Sequence, residues 1–433
     1  MSIATPSSST AVSPDAPASY KGPLAVVTTL FFMWGFLTCL NDILVPHLKS
    51  IFDLNYAKVM LIQFAFFGAY FLFSIPSAKI IDWIGYQRSM VLGLLTMGAG
   101  AFLFVPAASV PSYPLFLMAL IVLAAGITCL QVAANPYVTV LGKPQTASSR
   151  LNLTQAFNSL GTFLAPFFGG LLILSSAPKA MDEIRAMAPD TLQAYRLHEA
   201  ATVKTPYVGL GIALVVLAVA IGSFKLPKIP QAQHKVGEKV DDSIWRHPNL
   251  IFGAIGIFVY VGAEVAIGSF LVNYFSQPDI GGLTEKVAAS FVAFYWGGAM
   301  VGRFIGSGLL QKMNTGRLLG ICAVCAATLV TISMLSTGHF AMWSIILVGF
   351  FNSIMFPSIF TLGVAELGPL TGDGSGIMIM AIVGGAIIPL VQGAIADRIG
   401  IHHAFFLPVV CYLYILFFAL SGSKPNSERH AHS

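Results

Sequence analysis

Apolar runs long enough to cross the hydrocarbon core of a bilayer follow one another along the whole chain, with short polar breaks between them. The pattern predicts twelve membrane helices, near 24–46, 59–80, 89–109, 113–141, 152–176 and 206–226, then 249–275, 287–311, 316–336, 340–366, 375–396 and 403–421. These runs do not alternate like the roughly ten-residue strands of a membrane β-barrel, so the expected class is an all-α integral membrane protein. Two polar stretches break the rhythm. Residues 178–206 hold MDEIRAM and TLQAYRLHEAA, which predict a short surface helix. Residues 225–248 carry Lys228, Lys235, Lys239, Arg246 and three prolines, the composition of a polar linker. The expected organisation is a disordered cytoplasmic tail at 1–22, a six-helix half at 23–226, a cytoplasmic linker at 227–248, a second six-helix half at 249–422 and a cytoplasmic tail at 423–433.

The two halves repeat one another. VAANPYVTVLG (132–142) aligns with SIMFPSIFTLG (353–363), and TFLAPFFGGLL (162–172) with GAIIPLVQGAI (385–395), which sets Pro136 on Pro357 and Pro166 on Pro389. Two six-helix halves repeated in parallel are the arrangement of major facilitator transporters, with substrate held between the halves near the midplane.

Composition agrees and narrows the class. The chain is 56% hydrophobic and 9% charged, with a mean hydropathy of +0.80, outside the range of soluble globular domains. Lys and Arg orient it. With the N-terminus inside, the cytoplasmic side collects Lys79, Arg88, Lys143, Arg150, Lys312, Arg317 and the linker bases, which explains a net charge of +5 without a nucleic-acid partner. The first residues have no charged region ahead of an apolar core, so they do not read as a signal peptide. All five cysteines lie in apolar runs, and the CAVC at 322–325 lacks a second pair or His ligands, so no metal is expected there. His402 and His403 are adjacent, which points them to different helix faces and argues against a metal site. No P-loop, G-x-S-x-G or H-E-x-x-H occurs, which argues against an ATP-driven pump or a common hydrolase; no enzyme activity and no cofactor are expected.

Within so apolar a chain, polar residues in the spans stand out. FFMWGFLTCLNDILVPH (31–47) carries Asp42, and an ionised group there costs about 2.5–3.5 kcal/mol on insertion scales unless it faces a cavity or a partner. Trp34, Thr38 and Asp42 follow at intervals of four and share one helical face, with Asn41 adjacent. Aligning 31–42 with 257–268 sets Glu264 opposite Thr38, one turn from the position equivalent to Asp42, so the two acids should face each other between the halves. Burial favours the neutral form of such acids, and their mutual repulsion adds to this, so either can take up and release a proton. A carboxylate held by nearby hydroxyls only to fix packing is the alternative for each.

Amides gather on the fourth and fifth spans: Gln131, Asn135, Gln155 and Asn158. A monosaccharide needs paired donors and acceptors plus an apolar ring face, which amides and tryptophan supply. Trp34, Thr38, Asn41, Asn273, Tyr295 and Trp296 complete the candidate substrate set, with interhelical glue or simple filling as the alternative for each. Asp82 and Arg88, in KIIDWIGYQRSMVLG (79–93) after the second span, are candidates for a charge latch that locks one conformer. Glu366 and Asp373 read as interfacial, and Arg303 as a snorkelling or helix-capping residue near the inner end of the eighth span.

Asp82, Gly85 and Arg88 resemble, in degenerate form, the loop motif of the major facilitator superfamily, with Ala78 and Tyr86 departing from it. Beyond that motif, FFMWGFLTCLNDILVPHLK (31–49), GITCLQVAANPYVTVLG (126–142), RLNLTQAFNSLG (150–161), FVYVGAEVAIGSFLVNYF (258–275) and FPSIFTLG (356–363) resemble the fucose permease and glucose/galactose transporter family. The resemblance implies a proton-coupled monosaccharide importer of the bacterial inner membrane, with both termini cytoplasmic and Asp42 as its coupling carboxylate. The fucose permease branch has Glu where this chain has Gln131, and Gln where it has Glu264; the glucose/galactose branch resembles this chain at both. The expected cargo is glucose, galactose, fucose or N-acetylglucosamine, the partners are the sugar and the bilayer, and a monomer is expected to suffice. Sodium in place of the proton, drug efflux by antiport, a sugar sensor and an intramembrane enzyme are the rival readings, in falling order.

Overall fold

The computed structural model describes residues 20–52, 56–110, 112–172, 187–202, 204–229 and 243–424, with helix backbone alone at 39–52, 56–61, 63, 166–172, 199, 200, 202 and 285. The tail at 1–19, the middle of the linker and the last residues lie outside these ranges, as does the MDEIRAM part of the polar insert.

The described chain folds as membrane-length helices, labelled here by span. In the first half α1 is Lys21–Phe52, α2 and α3 are the two arms of Tyr56–Ser109, α4 is Tyr113–Val140, α5 is Ala147–Leu172 and α6 is Lys204–Ser223. In the second half α7 is Pro248–Phe275, α8 is Glu285–Leu309, α9 is Thr315–Leu335, α10 is Gly338–Gly363, α11 is Gly368–Ile399 and α12 is Ile401–Gly422. Ten of the described helices are long and apolar enough to cross a membrane, and the one spanning Phe64–Ser109 includes most of both α2 and α3. The expected surface helix of the polar insert is Pro189–Thr202.

One expectation needs correction. The chain between the second and third spans is not an eight-residue loop: only Gly85 leaves the helical region, at φ 81° and ψ 168°, and α3 resumes at once. Glycine reaches that left-handed angle without strain, so a single residue reverses the chain. Gly400, at φ 84° and ψ 154°, does the same between α11 and α12, and both follow an Asp by three residues.

The halves repeat in their packing. In the first, α1 packs on α5, α2 and α3 on α4, and α3 on α6; in the second, α7 packs on α11, α8 and α9 on α10, and α9 on α12. Small residues bring backbones close at these crossings, where packing rather than hydrophobicity drives association. A Cβ on Gly384 of α11 would overlap the Phe258 carbonyl of α7. We expect Gly384→Ala to lower the melting temperature of the purified protein by several degrees. Gly209→Ala on α6, where a Cβ meets open space, should not.

The halves meet along α2 with α11, and α5 with α8 and α10. Several cross-half hydrogen bonds and an ion pair lie toward the helix ends on the side where the linker runs. Lys79 Nζ reaches Asp373 Oδ1 at 2.8 Å, Ser375 Oγ donates to the Val132 carbonyl at 2.8 Å, and Ser149 Oγ donates to the Ser307 carbonyl at 2.7 Å. Ser148 and Thr361 hydroxyls lie 2.6 Å apart.

Candidate functional site

Two polar clusters lie inside the bundle, one in each half. In the first half, Gln131 and Asn135 sit one turn apart on α4 and point into the protein, both at most 2% exposed. Gln131 Nε2 donates to the Tyr70 hydroxyl of α2 at 2.7 Å. Gln155 of α5 donates to Asn135 Oδ1 at 3.5 Å, the outer limit of a hydrogen bond. That leaves Gln131 Oε1 and Asn135 Nδ2 buried without a partner among the described residues. Buried amide groups are nearly always satisfied, so a free acceptor and a free donor side by side mark a place for water or a polar ligand.

The second half is built on Glu264 of α7. The Tyr260 hydroxyl, one turn earlier, lies 2.8 Å from Glu264 Oε1 and 3.0 Å from the Asn352 carbonyl. Asn352 of α10 donates through Nδ2 to the Tyr295 hydroxyl at 2.9 Å, and its Oδ1 accepts from the Tyr412 hydroxyl at 2.8 Å. Three tyrosines, one asparagine and one carboxylate thus form a buried network joining α7, α8, α10 and α12.

Arg303 of α8 stands beside this network, and its role differs in part from the sequence expectation. Its side chain is 13% exposed and points into the protein: Nη2 lies 4.0 Å from Glu264 Oε1, and Nε donates at 3.3 Å to the carbonyl of Ser353, the C-cap of the helix Gly338–Asn352, so the capping expectation holds and the snorkelling one does not. Nη1 faces the Gln155 carbonyl at 3.5 Å and the Ser159 hydroxyl, both on α5 in the other half. The physical reason is helix geometry. Side chains lean toward the N-terminus of their own helix, so Arg303 on α8 and Glu264 on the antiparallel α7 lean toward each other from different depths.

The remaining candidates sort as follows. Trp34 is buried, with its ring 5.0 Å from that of Phe31, and the Thr38 hydroxyl is spent on the Trp34 carbonyl at 2.9 Å. Asn158 Nδ2 ties α5 to the Phe31 carbonyl of α1 at 2.9 Å, an interhelical contact. Asn273 is exposed near the far end of α7. Trp296 is 42% exposed and covers Gly268, whereas Tyr295 is fully buried in the network. The side chains of Asn41 and Asp42 lie outside the described residues, and α1 carries their backbone. Of the two latch candidates, Asp82 lies 3.8 Å from Lys79, which bonds Asp373 across the halves, while Arg88 is exposed with no ion pair among the described residues. Asp82 and Arg88 flank Gly85, and the reversal there carries Arg88 onto the next helix.

Tyr260, Asn352, Tyr412, Arg303 and Gln392 were absent from the sequence candidates. Gln392 of α11 is fully buried, with neither amide atom partnered among the described residues. A polar residue in an apolar span was the available signal for each. Among the described residues, no group of His, Cys, Asp and Glu is arranged to hold a metal.

Paired polar clusters between pseudo-symmetric six-helix halves define a membrane transporter. The sequence profile described as Major Facilitator Superfamily matches residues 26–382. The "Glucose/galactose transporter" of Brucella abortus is 54% identical over 406 residues, covering 94% of this chain and 95% of the relative. The "L-fucose-proton symporter" of Escherichia coli is 36% identical, covering 94% of each. A solved structure titled as the E. coli fucose:proton symporter superimposes with a TM-score of 0.87 at 35% identity, over 94% of this chain and 100% of the other. A second, described as a major facilitator transporter in the outward conformation, matches with the same score over 94% and 99%. The chain belongs to the major facilitator superfamily, and is a multi-pass transporter rather than an enzyme.

Proposed function

We propose that the protein imports a monosaccharide by proton symport through alternating access across the bacterial inner membrane. The observation that carries this reading is the buried pair of amide atoms without a partner among the described residues, Gln131 Oε1 and Asn135 Nδ2, in one half, with Glu264, its side chain 12% exposed, in the other. A sugar hydroxyl both donates and accepts, so it satisfies both at once; a greasy cation satisfies neither. The names of the Brucella and E. coli relatives support a sugar cargo, and 54% identity to the glucose/galactose relative against 36% to the fucose symporter favours glucose or galactose over fucose.

In this reading Asp42 carries the proton. Protonated, it becomes a donor and adds a hydrogen bond to the sugar, so proton loading and sugar binding reinforce each other. Glu264 is the second acid of the site and accepts from a sugar hydroxyl. The basic residues on the linker side support placing that side and both termini in the cytoplasm, which makes the conformation one closed inside. Lys79 and Asp373, with Asp82 beside them, would hold it closed. A monomer contains both clusters. The coupling ion needs no cofactor.

The test is uptake by proteoliposomes holding the purified protein. An inward proton gradient should drive accumulation of labelled glucose or galactose, and unlabelled competitors should rank the sugars. Accumulation driven by a sodium gradient, indifferent to pH, would replace the proton by sodium. Proton-driven extrusion of lipophilic cations with no hexose uptake would replace import by efflux.

A further inference from the structure

Contacts between α5 and the second half recur along one face of α5. Starting at the linker side, Ser148 meets Thr361, Ser149 meets the Ser307 carbonyl, Asn152 Nδ2 donates to the Arg303 carbonyl at 2.7 Å, and Gln155 and Ser159 meet the Arg303 guanidinium. Residues 148, 152, 155 and 159 are spaced by one helical turn, so this is a ladder whose rungs all face the second half. All the rungs but one are neutral. The charged rung is Arg303, and it is the rung nearest Glu264.

Opening the linker side requires every rung to break. Neutral hydroxyls and carbonyls can turn to water entering from that side. A guanidinium leaving its acceptors inside the bundle needs an anion within reach. The titratable and charged groups facing it from the packed helices are Glu264 and Tyr260 of α7, with Tyr295 on its own helix; among the described residues, α5 and α10 offer neutral acceptors alone. Glu264 Oε1 is 4.0 Å from Nη2, longer than the 2.7–2.9 Å of a formed charge-assisted hydrogen bond. In this conformation Arg303 Nη1 is therefore committed to α5 and Nε to the Ser353 carbonyl of α10, with the carboxylate in waiting.

We propose that Arg303 is a two-position clamp: it grips Gln155 and Ser159 of α5 while the linker side is closed, and transfers to an ionised Glu264 when that side opens. Arg303 is a positioning residue, acting on the equilibrium between conformers through α5. Glu264 keeps its charge through the cycle as the host of the arginine, which leaves the proton to Asp42. The inference rests on the transporter reading for its purpose but not for its test, which needs neither sugar nor gradient.

The experiment is hydrogen exchange at neutral pH on the sugar-free protein in lipid nanodiscs, read at the linker-side ends of α5 (147–152) and α8 (303–309). Arg303→Met removes the clamp and should raise exchange there by about tenfold, the effect of a shift of one decade in the closed-to-open ratio. Glu264→Gln removes the host and should lower it by a similar factor. Arg303→Lys keeps the charge and should stay near the parent, which guards against a packing effect of the methionine. The deciding case is the double variant. Without the arginine the host has no guest, so Arg303→Met with Glu264→Gln should match Arg303→Met alone. Additive effects in the double variant, or a Glu264→Gln protein whose linker side exchanges as fast as or faster than the parent, would overturn the clamp. A failure of sugar uptake would overturn the cargo and leave these exchange results standing.

Discussion

Asp42→Asn is expected to abolish concentrative uptake while leaving sugar exchange intact. Asparagine is permanently neutral and still donates a hydrogen bond, so it imitates the protonated acid and keeps the contact the sugar needs. What it removes is the link between two binding events. A gradient of one pH unit is worth about 1.36 kcal/mol, so one-proton coupling should sustain about a tenfold accumulation at equilibrium. In the variant the accumulation ratio should fall to about one, because nothing connects sugar movement to the gradient. Counterflow of labelled against unlabelled hexose, which needs no net proton movement, should proceed at a rate comparable to the parent. Accumulation retained by Asp42→Asn would assign the coupling to another group, and loss of counterflow along with accumulation would make Asp42 a binding residue only.

Asn352→Leu is expected to be the most damaging substitution for stability, although Asn352 is not a candidate to touch the sugar. Its side chain donates to Tyr295 and accepts from Tyr412, and its carbonyl accepts from Tyr260, all within the buried interior. Leucine is close in volume, so the cost is not a cavity. The Tyr412 hydroxyl loses its acceptor, and Tyr295 loses the donor that orients it. An unsatisfied buried polar group costs about 1–3 kcal/mol, so the variant should lose roughly 2–4 kcal/mol with the partial loss at Tyr295 included. The midpoint of thermal unfolding reads this directly. Tyr412→Phe, which strands only Asn352 Oδ1, should lose less. The Tyr295 hydroxyl that Asn352 orients also donates to the Glu264 carbonyl at 3.4 Å, so Asn352→Leu should weaken hexose binding in the protein that remains folded at low temperature. A melting temperature equal to the parent would show that the network contributes little to holding α7, α8, α10 and α12 together.

Almost all of the architecture was legible in the amino-acid order. Hydropathy alone sets the number of spans, because a backbone in hydrocarbon must satisfy its own hydrogen bonds and only a helix of sufficient length does so. The proline register between 132–142 and 353–363 exposed the repeat, and the matching helix pairings in the two halves follow from it. Where the reading slipped, at Gly85, a left-handed glycine did in one residue what a polar loop was expected to do in eight.

The chemistry of the site divides differently. Glu264, Gln131, Asn135 and Gln155, which the structure sets in the buried clusters, were visible because each is a polar residue whose presence in an apolar span needs a reason, and that reasoning is local; Asp42 stands out on the same ground, with its side chain outside the described residues. Arg303 satisfied the same criterion and was read as snorkelling or capping a helix, because of its proximity to one end of α8. Its true surroundings come from three other helices, separated from it in sequence by 39 residues at Glu264, 50 at Ser353 and 144 at Ser159. Asn352, Tyr260 and Tyr412 converge in the same way. The order of apolar and polar residues thus determined that this chain is a two-half membrane transporter and which helices carry charge. The crossing of α5, α7, α8 and α10 alone decided which charges meet, because the lean of a side chain along its helix depends on the direction of that helix and on what the tertiary packing sets beside it.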